Sequence, residues 1–430
     1  MAKHILGAMS PTMSRDKGSV PGSSRLLLVS DERGWPQTSG YRRRTSQILT
    51  SLAELGPTTW VVGLRNRYDS GDPVAIPDNL MDRIEAIQVG APTRPAQQTA
   101  RRWLTGNLPW PLAAGDWRVV DIELGRIAQG RADRRFDLIW AMGLDALHSI
   151  RRAGLQSTVT IVDADLESLK LHRQLEHGSI TGPARRIVAN VDRRRWTRLE
   201  QEAAATTSGF SVCSDHERRL LGGRAFVTPN SYPLVSRAGG STIRATTGAD
   251  QATVLLFVGS LGYGANLDGL RWFLAEVFPR LRHRVPGTRL RIVGSGGDDT
   301  GWLAEHRGVE LLGAVDDIGA ELAAAAALVV PILWGAGTRI KILEAFAHRV
   351  PVVSTTVGAE GLDVETEREL LIADDAEDFA AACQRVAADG RLAQELIDQA
   401  HRTLAAKYEE SVVTHRLTDR LSELLASTGS

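Results

Sequence analysis

Three side chains in one short stretch carry the most readable chemistry of this sequence. Arg339, Lys341 and Glu344 follow Gly337 and Thr338 in Gly-Thr-Arg-Ile-Lys-Ile-Leu-Glu-Ala, residues 337–345. The pattern reads as a glycine turn, an amphipathic helix and then a short buried strand from Val350. A helix start presents unpaired N–H groups and partial positive charge, so it suits an anion. Arg339 and Lys341 strengthen that preference, and Glu344 can accept hydrogen bonds from neutral hydroxyls farther along. The expected ligand carries phosphate at the helix start and hydroxyls deeper in. The plainer roles are an i,i+3 pair between Lys341 and Glu344, worth roughly 0.2–0.5 kcal/mol, and an exposed helix-start arginine at 339.

A second candidate is Asp163-Ala164-Asp165, at the end of an apolar run. Residues i and i+2 point to one side of a strand, so the two carboxylates could share a task. Three readings stay open. Asp165 could orient a hydroxyl or stabilise positive charge at a reacting carbon. It could cap a helix over 166–174. Or the pair could hold magnesium or manganese through hard oxygen ligands. Gly40 lies in Thr38-Ser39-Gly40-Tyr41, while Gly259 and Gly294 each close an apolar run; each permits close backbone approach to a ligand or simply makes a turn. The ten histidines are scattered and the two cysteines single, so zinc spacing is absent from the sequence.

The elements that must position these residues follow from length and pattern. At 430 residues the chain exceeds the roughly 250–300 at which single cores stop growing, so two domains are expected. Hydrophobic content of 43% and charged content of 24% are those of a globular protein. The balance of 51 basic against 51 acidic residues argues against a nucleic-acid partner. The arginines at 42–44 and 193–195 read most simply as solvated surface, with a patch facing anionic lipid as the alternative. No apolar run approaches the roughly 20 residues of a membrane span, and the N-terminus lacks a secretion signal. Cys213 and Cys383, each in an apolar run, read as reduced and structural, which places the protein in the cytoplasm.

Short apolar runs at 26–29, 60–62, 137–140, 159–162 and 210–213 alternate with helical patterns. The alternation restarts at 253–258 and continues at 290–293, 309–312, 328–332, 350–354 and 370–373. Such β-then-α order predicts parallel sheets covered by helices. Asn266 is expected to cap a helix whose stripe runs Leu267, Leu270, Phe273, Leu274, Val277, Phe278 and Leu281. Residues 84–133 carry no clear pattern. The expected organisation is a disordered tail over 1–24, a first domain over 25–235, a linker over 236–251, a second domain over 252–405 and a terminal helix over 406–430 crossing back to the first domain.

With these residues in place the chain resembles the retaining glycosyltransferase family 4, of the α/β GT-B fold with two Rossmann-like domains facing a cleft. The resemblance runs through Phe257-Val258-Gly259-Ser260, Ile292-Val293-Gly294, Gly313-Ala314-Val315-Asp316-Asp317, the 337–345 stretch and Gly358-Ala359-Glu360-Gly361-Leu362. In the first half, 36–44 is similar to the family's glycine loop and Pro229-Asn230-Ser231 to its turn before the linker. The resemblance implies a nucleotide diphosphate-sugar donor in the second domain and a hydroxyl acceptor in the first, with sugar transferred under retention and without a metal or other cofactor. By resemblance Gly259, Gly294, Gly337, Thr338, Arg339, Lys341 and Glu344 bind the donor, Glu344 at its ribose, and Gly40 lies on the acceptor side. Arg339 and Lys341 act on the leaving diphosphate. Asp165 stands roughly where related enzymes keep a histidine or acidic residue beside the reacting sugar, and is read as orienting rather than nucleophilic.

Two departures stand out. Ala336 occupies the place of the family's first motif glutamate, and Ser260 and Asn266 stand where many members carry cations; a branch of the family shares the Gly-Thr-Arg-Ile-Lys arrangement. The rival expectations are a nucleotide-sugar epimerase on the same fold and a binder without turnover. The acceptor is left open between a saccharide and a lipid-linked molecule, the latter implying peripheral contact at the inner membrane face.

Overall fold

Each run of branched apolar residues is long enough for one strand, and strands apolar on both faces need helices on both sides. The computed structural model, which describes residues 25–64, 74–130, 135–235, 253–297 and 300–427, has this arrangement twice. The expected tail over 1–24 and linker over 236–251 lie outside the described residues.

The first sheet holds β1 (Leu26–Ser30), β2 (Thr58–Leu64), β3 (Ile84–Gly90), β4 (Arg135–Met142), β5 (Gln156–Asp163), β6 (Gly209–Val212) and β7 (Ala225–Val227). They lie in the order β3-β2-β1-β4-β5-β6-β7. The second sheet holds β8 (Val254–Val258), β9 (Arg289–Val293), β10 (Val309–Gly313), β11 (Ala327–Val330), β12 (Val352–Ser354) and β13 (Leu371–Ile372). Their order is β10-β9-β8-β11-β12-β13. All pairings in both sheets are parallel. Strand order reverses beside β1 and beside β8, which opens a crevice at the carboxyl ends of each sheet.

Burial follows the two-residue period of a strand. In β1, Leu27 and Val29 join one core and Leu26 and Leu28 the other. That second core also takes Ile48, Leu49 and Leu52 of the helix Gly40–Leu55, together with Leu417 and Leu421 of the terminal helix Glu410–Ser427. The end of the chain thus packs on the first sheet. In the second sheet Leu255 and Phe257 face one core and Leu256 the other.

The segment without a clear pattern begins with β3 and continues as helices Ala96–Thr105, Trp110–Ala114 and Arg118–Gln129. β3 is an edge strand with Glu85 and Gln88 exposed, so it never presents a continuous apolar run. Asn266 does not cap a helix. Tyr263 holds that position, and Asn266 lies inside the helix Gly264–Trp272 with its amide turned to the neighbouring loop. The predicted stripe is buried from Leu270 onward, with Leu267 half-buried, and continues through Phe273–Val277 into Phe278–Arg284. The arginines at 42–44 are not solvated surface either, because Arg44 is buried and Arg42 pairs with Glu32. Cys213 and Cys383 are free and buried. Among the described residues no helix is long and apolar enough to cross a membrane.

Candidate active site in the cleft

The loop leading into the helix Ile340–Ala347 turns at Gly337, whose φ of 74° is a left-handed conformation that favours glycine. Arg339 is the residue before the helix and is buried. Its Nη1 donates back to the carbonyls of Ala336 at 2.6 Å and Gly337 at 3.2 Å. Its Nε and Nη2 are buried without a partner among the described residues. Lys341 reaches away from Glu344: its Nζ donates to Asn266 Oδ1 at 3.0 Å and stands 4.4 Å from the centre of the Phe257 ring. Burial and the neighbouring Arg339 charge push the Lys341 ammonium down to about 7. Two cationic groups therefore sit together with no salt bridge to either among the described residues, and the Glu344 charge only partly offsets the shift.

The glycines predicted for this site pack directly against it. A Cβ on Gly259 would lie 2.7 Å from Lys341 Nζ and 2.8 Å from Asn266 Nδ2, and one on Gly294 would collide with the Gly259 carbonyl. The loops after β8 and β9 thus meet backbone to backbone beneath the lysine. Glu344 accepts a 2.7 Å hydrogen bond from Tyr232. Burial and the Glu344 charge push that phenol up, and Arg43 stacks 4.3 Å over its ring. Thr338 Oγ1 accepts from Asn230 Nδ2 at 2.7 Å.

On the first-domain side, Gly40 opens its helix with Ser39 as cap, and a Cβ there would stand 3.3 Å from Ile340. The starts of the two helices therefore face each other across the cleft. Asp163 and Asp165 do not share a task. β5 ends at Asp163, so the two-residue rule does not extend to Asp165. Asp163 is buried and holds Arg44 through two bonds of 2.6 and 2.9 Å. Asp165 is exposed and lies against the loop: a Cβ on Gly337 would be 2.6 Å from its Oδ1. Nor does it cap a helix, since the next one is Glu167–His177 with Leu166 at the cap position. Among the described residues no group of three or more His, Cys, Asp or Glu side chains could hold a metal ion.

Three residues at the site went unrecognised in the sequence. Glu217, on the helix Asp215–Leu221, accepts from the Gly337 N–H at 3.1 Å. Arg173 donates to the Gly335 carbonyl at 2.7 Å and forms a two-bond pair with Glu360. Asn230 was seen only as part of a turn. Ser214 and Glu217 do have the spacing of a capping box, but that signal announces a helix start and says nothing of a contact across a cleft.

Two parallel-sheet α/β domains with their strand ends turned to one cleft define the GT-B architecture. Residues 252–389 match the model of a family described as glycosyl transferases group 1. A curated relative, an uncharacterized 44.6 kDa protein in the cps region of Klebsiella pneumoniae, is 31% identical over 137 residues. That match takes in 29% of this chain and spans about a third (35%) of the relative's length. Among solved structures, sucrose-phosphate synthase from Thermosynechococcus elongatus superimposes with a TM-score of 0.68 at 18% identity, over 94% of this chain and 100% of that one. Anabaena HepE in complex with UDP and glucose gives 0.58 at 15% identity, over 92% and 99%. WaaG, a glycosyltransferase involved in lipopolysaccharide biosynthesis, gives 0.60 at 16% identity, over 92% and 99%. At these identities the likeness is one of fold.

Proposed function

We propose that the chain is a glycosyltransferase that moves a sugar from a nucleotide diphosphate donor to an acceptor hydroxyl with retention, in the making of a cell-surface polysaccharide or glycolipid. The observation that carries the reading is the buried Arg339 guanidinium, whose Nε and Nη2 have no partner among the described residues, beside a lysine that forms no salt bridge among them. Buried polar groups are almost always satisfied, and a diphosphate at the helix start would supply the acceptors and the negative charge together. Arg339, Lys341 and the helix start would then stabilise the leaving diphosphate. Glu344 would take the ribose hydroxyls, and Asp165, across the loop, would orient the acceptor. In this reading the protein supplies the charge that a metal supplies elsewhere, so transfer should persist in EDTA. The match of residues 252–389 supports the reaction class, and the cps-region relative supports a polysaccharide product. HepE's complexes make UDP the first nucleotide to try.

Calorimetric titration with UDP, GDP and ADP, in EDTA and then with manganese, tests the donor site. Binding in EDTA that is lost in Arg339→Met supports it, whereas binding that requires manganese and survives the substitution refutes it. Donor consumed without acceptor, yielding an epimer, would select the epimerase, and nuclear magnetic resonance of the product reads retention.

We also place the protein in the cytoplasm, at the inner membrane face. Arg195 stacks 4.8 Å over Trp103 and donates to the Leu108 carbonyl, which ties residues 103–110 to the helix Pro183–Thr206. Leu104 and Ile187 are 71% and 64% exposed there, with Arg101, Arg194 and Arg198 also exposed. Basic side chains interleaved with apolar ones suit an anionic lipid surface. Flotation with phosphatidylglycerol vesicles but not with phosphatidylcholine vesicles is expected; equal behaviour with both would refute the placement.

A further inference from the structure

The loop over 335–338 is held from the opposite domain by Arg173 at Gly335, Glu217 at Gly337 and Asn230 at Thr338. Glu217 differs from the others in burial and in what it touches. It is 1% exposed and forms no salt bridge among the described residues. Its carboxylate accepts from the Ser214 hydroxyl at 3.0 Å, from the Leu166 backbone and, at 3.1 Å, from the Gly337 N–H. Burial and the nearby Asp165 charge push it up to about 7. A capping-box glutamate ordinarily turns back to its own helix start. This one reaches into the other domain, and its helix is already capped by Ser214, which accepts from the Glu217 N–H at 3.2 Å.

The peptide it holds is a particular one. The unit joining Ala336 to Gly337 presents its N–H to Glu217 and its carbonyl to Arg339 Nη1 at 2.6 Å. A trans peptide is planar, so its two polar groups turn together. Glu217 on one edge and Arg339 on the other therefore fix each other through a single peptide plane. Consecutive hydrogen bonds of this kind also polarise one another. Turning the plane would break both bonds and leave the guanidinium only its longer, 3.2 Å bond to the Gly337 carbonyl.

We propose that Glu217 is a positioning residue for the donor site, holding the Ala336–Gly337 peptide so that Arg339 is aimed at the diphosphate. The proposal rests on the reading of this cleft as a nucleotide-sugar site. Because Glu217 stands on the first domain and Arg339 on the second, donor affinity becomes dependent on closure of the two domains. The first domain then takes part in donor binding without touching the donor.

The test uses the full chain with Glu217→Ala and Glu217→Gln, reading hydrogen exchange at the 335–340 amides, UDP affinity and melting temperature. In the wild type the Gly337 amide should exchange slowly even without nucleotide, and fast exchange there overturns the proposal however the variants fold. Glu217→Ala should lose that protection and weaken UDP binding about 10-fold, the scale of one hydrogen bond to a charged group. Glu217→Gln keeps an oxygen for the N–H and should restore protection and most of the affinity. A lower melting temperature in Glu217→Ala with loop exchange and UDP affinity unchanged would mean a helix cap alone and overturn the idea, as would failure of Glu217→Gln to restore protection. Absence of binding to UDP, GDP and ADP alike in the wild type would instead sink the donor-site reading, while the exchange arm still decides whether Glu217 holds the loop.

Discussion

Two arginines are buried near the cleft, and their surroundings are opposite. Arg44 in the first domain is fully partnered: Asp163 through two bonds, the Thr228 carbonyl, and Ser211 at 3.0 Å. Although burial opposes its charge, Asp163 and other nearby acidic groups hold the guanidinium above its ordinary value. Arg339 in the second domain bonds only to its own loop, leaves two donors unpaired, and has a lysine for a neighbour. Burial by itself therefore does not mark a site. A buried charge with its counter-charge built in belongs to the fold, and one without is a candidate for a ligand site.

The largest effect should come from breaking the satisfied pair. Arg44→Met leaves Asp163 buried and unpaired, and urea denaturation should read a loss of about 3–5 kcal/mol, with UDP affinity of the folded protein nearly unchanged. Arg339→Met should do the reverse: UDP affinity falling roughly 100-fold, as charged hydrogen bonds are lost, and a melting temperature equal to or above the wild type. If both substitutions cost stability equally, the contrast between the two arginines fails. Glu344→Ala should weaken UDP about 10-fold but leave pyrophosphate affinity unchanged, separating the ribose end from the anion end.

The smallest effect concerns protons on Lys341. Its ammonium lies near 7 in the fold against 10.5 ordinarily, so at pH 8 the folded chain is mostly neutral there while the unfolded chain holds the proton. Stability from this residue therefore rises with pH between 7 and 10.5. A bound diphosphate restores the charge, so binding at pH 8 should take up nearly one proton and at pH 6 almost none. Calorimetry in buffers of different ionisation heat reads this, and Lys341→Met should abolish it.

Much of the second domain was legible because its signals are local. The runs that became β8 and β11 are apolar on both faces, and the 337–345 stretch carries its turn, cations and carboxylate within three helical turns. The first domain was harder. β3 lies on a sheet edge and shows no continuous apolar run, and the arginines at 42–44 resembled surface until Arg44 was seen beneath Asp163. Asp163 and Asp165 looked like partners because they are two residues apart, but the strand ends between them and sends one inward and the other to the cleft. Asn266 looked like a cap, yet its amide serves Lys341 and Ser260 instead.

The sequence by itself determined the alternation of strands and helices, the two-domain α/β class and the glycine turn and helix that line the cleft. Each of these depends on periodicity or on neighbours within a few residues. Tertiary structure alone decided which charges are matched. Arg44 meets Asp163 across 119 positions and Glu217 meets Gly337 across 120, distances over which no local pattern carries information. Only when the chain folds do those groups share one low-dielectric space, where a missing counter-charge matters enough to define a site.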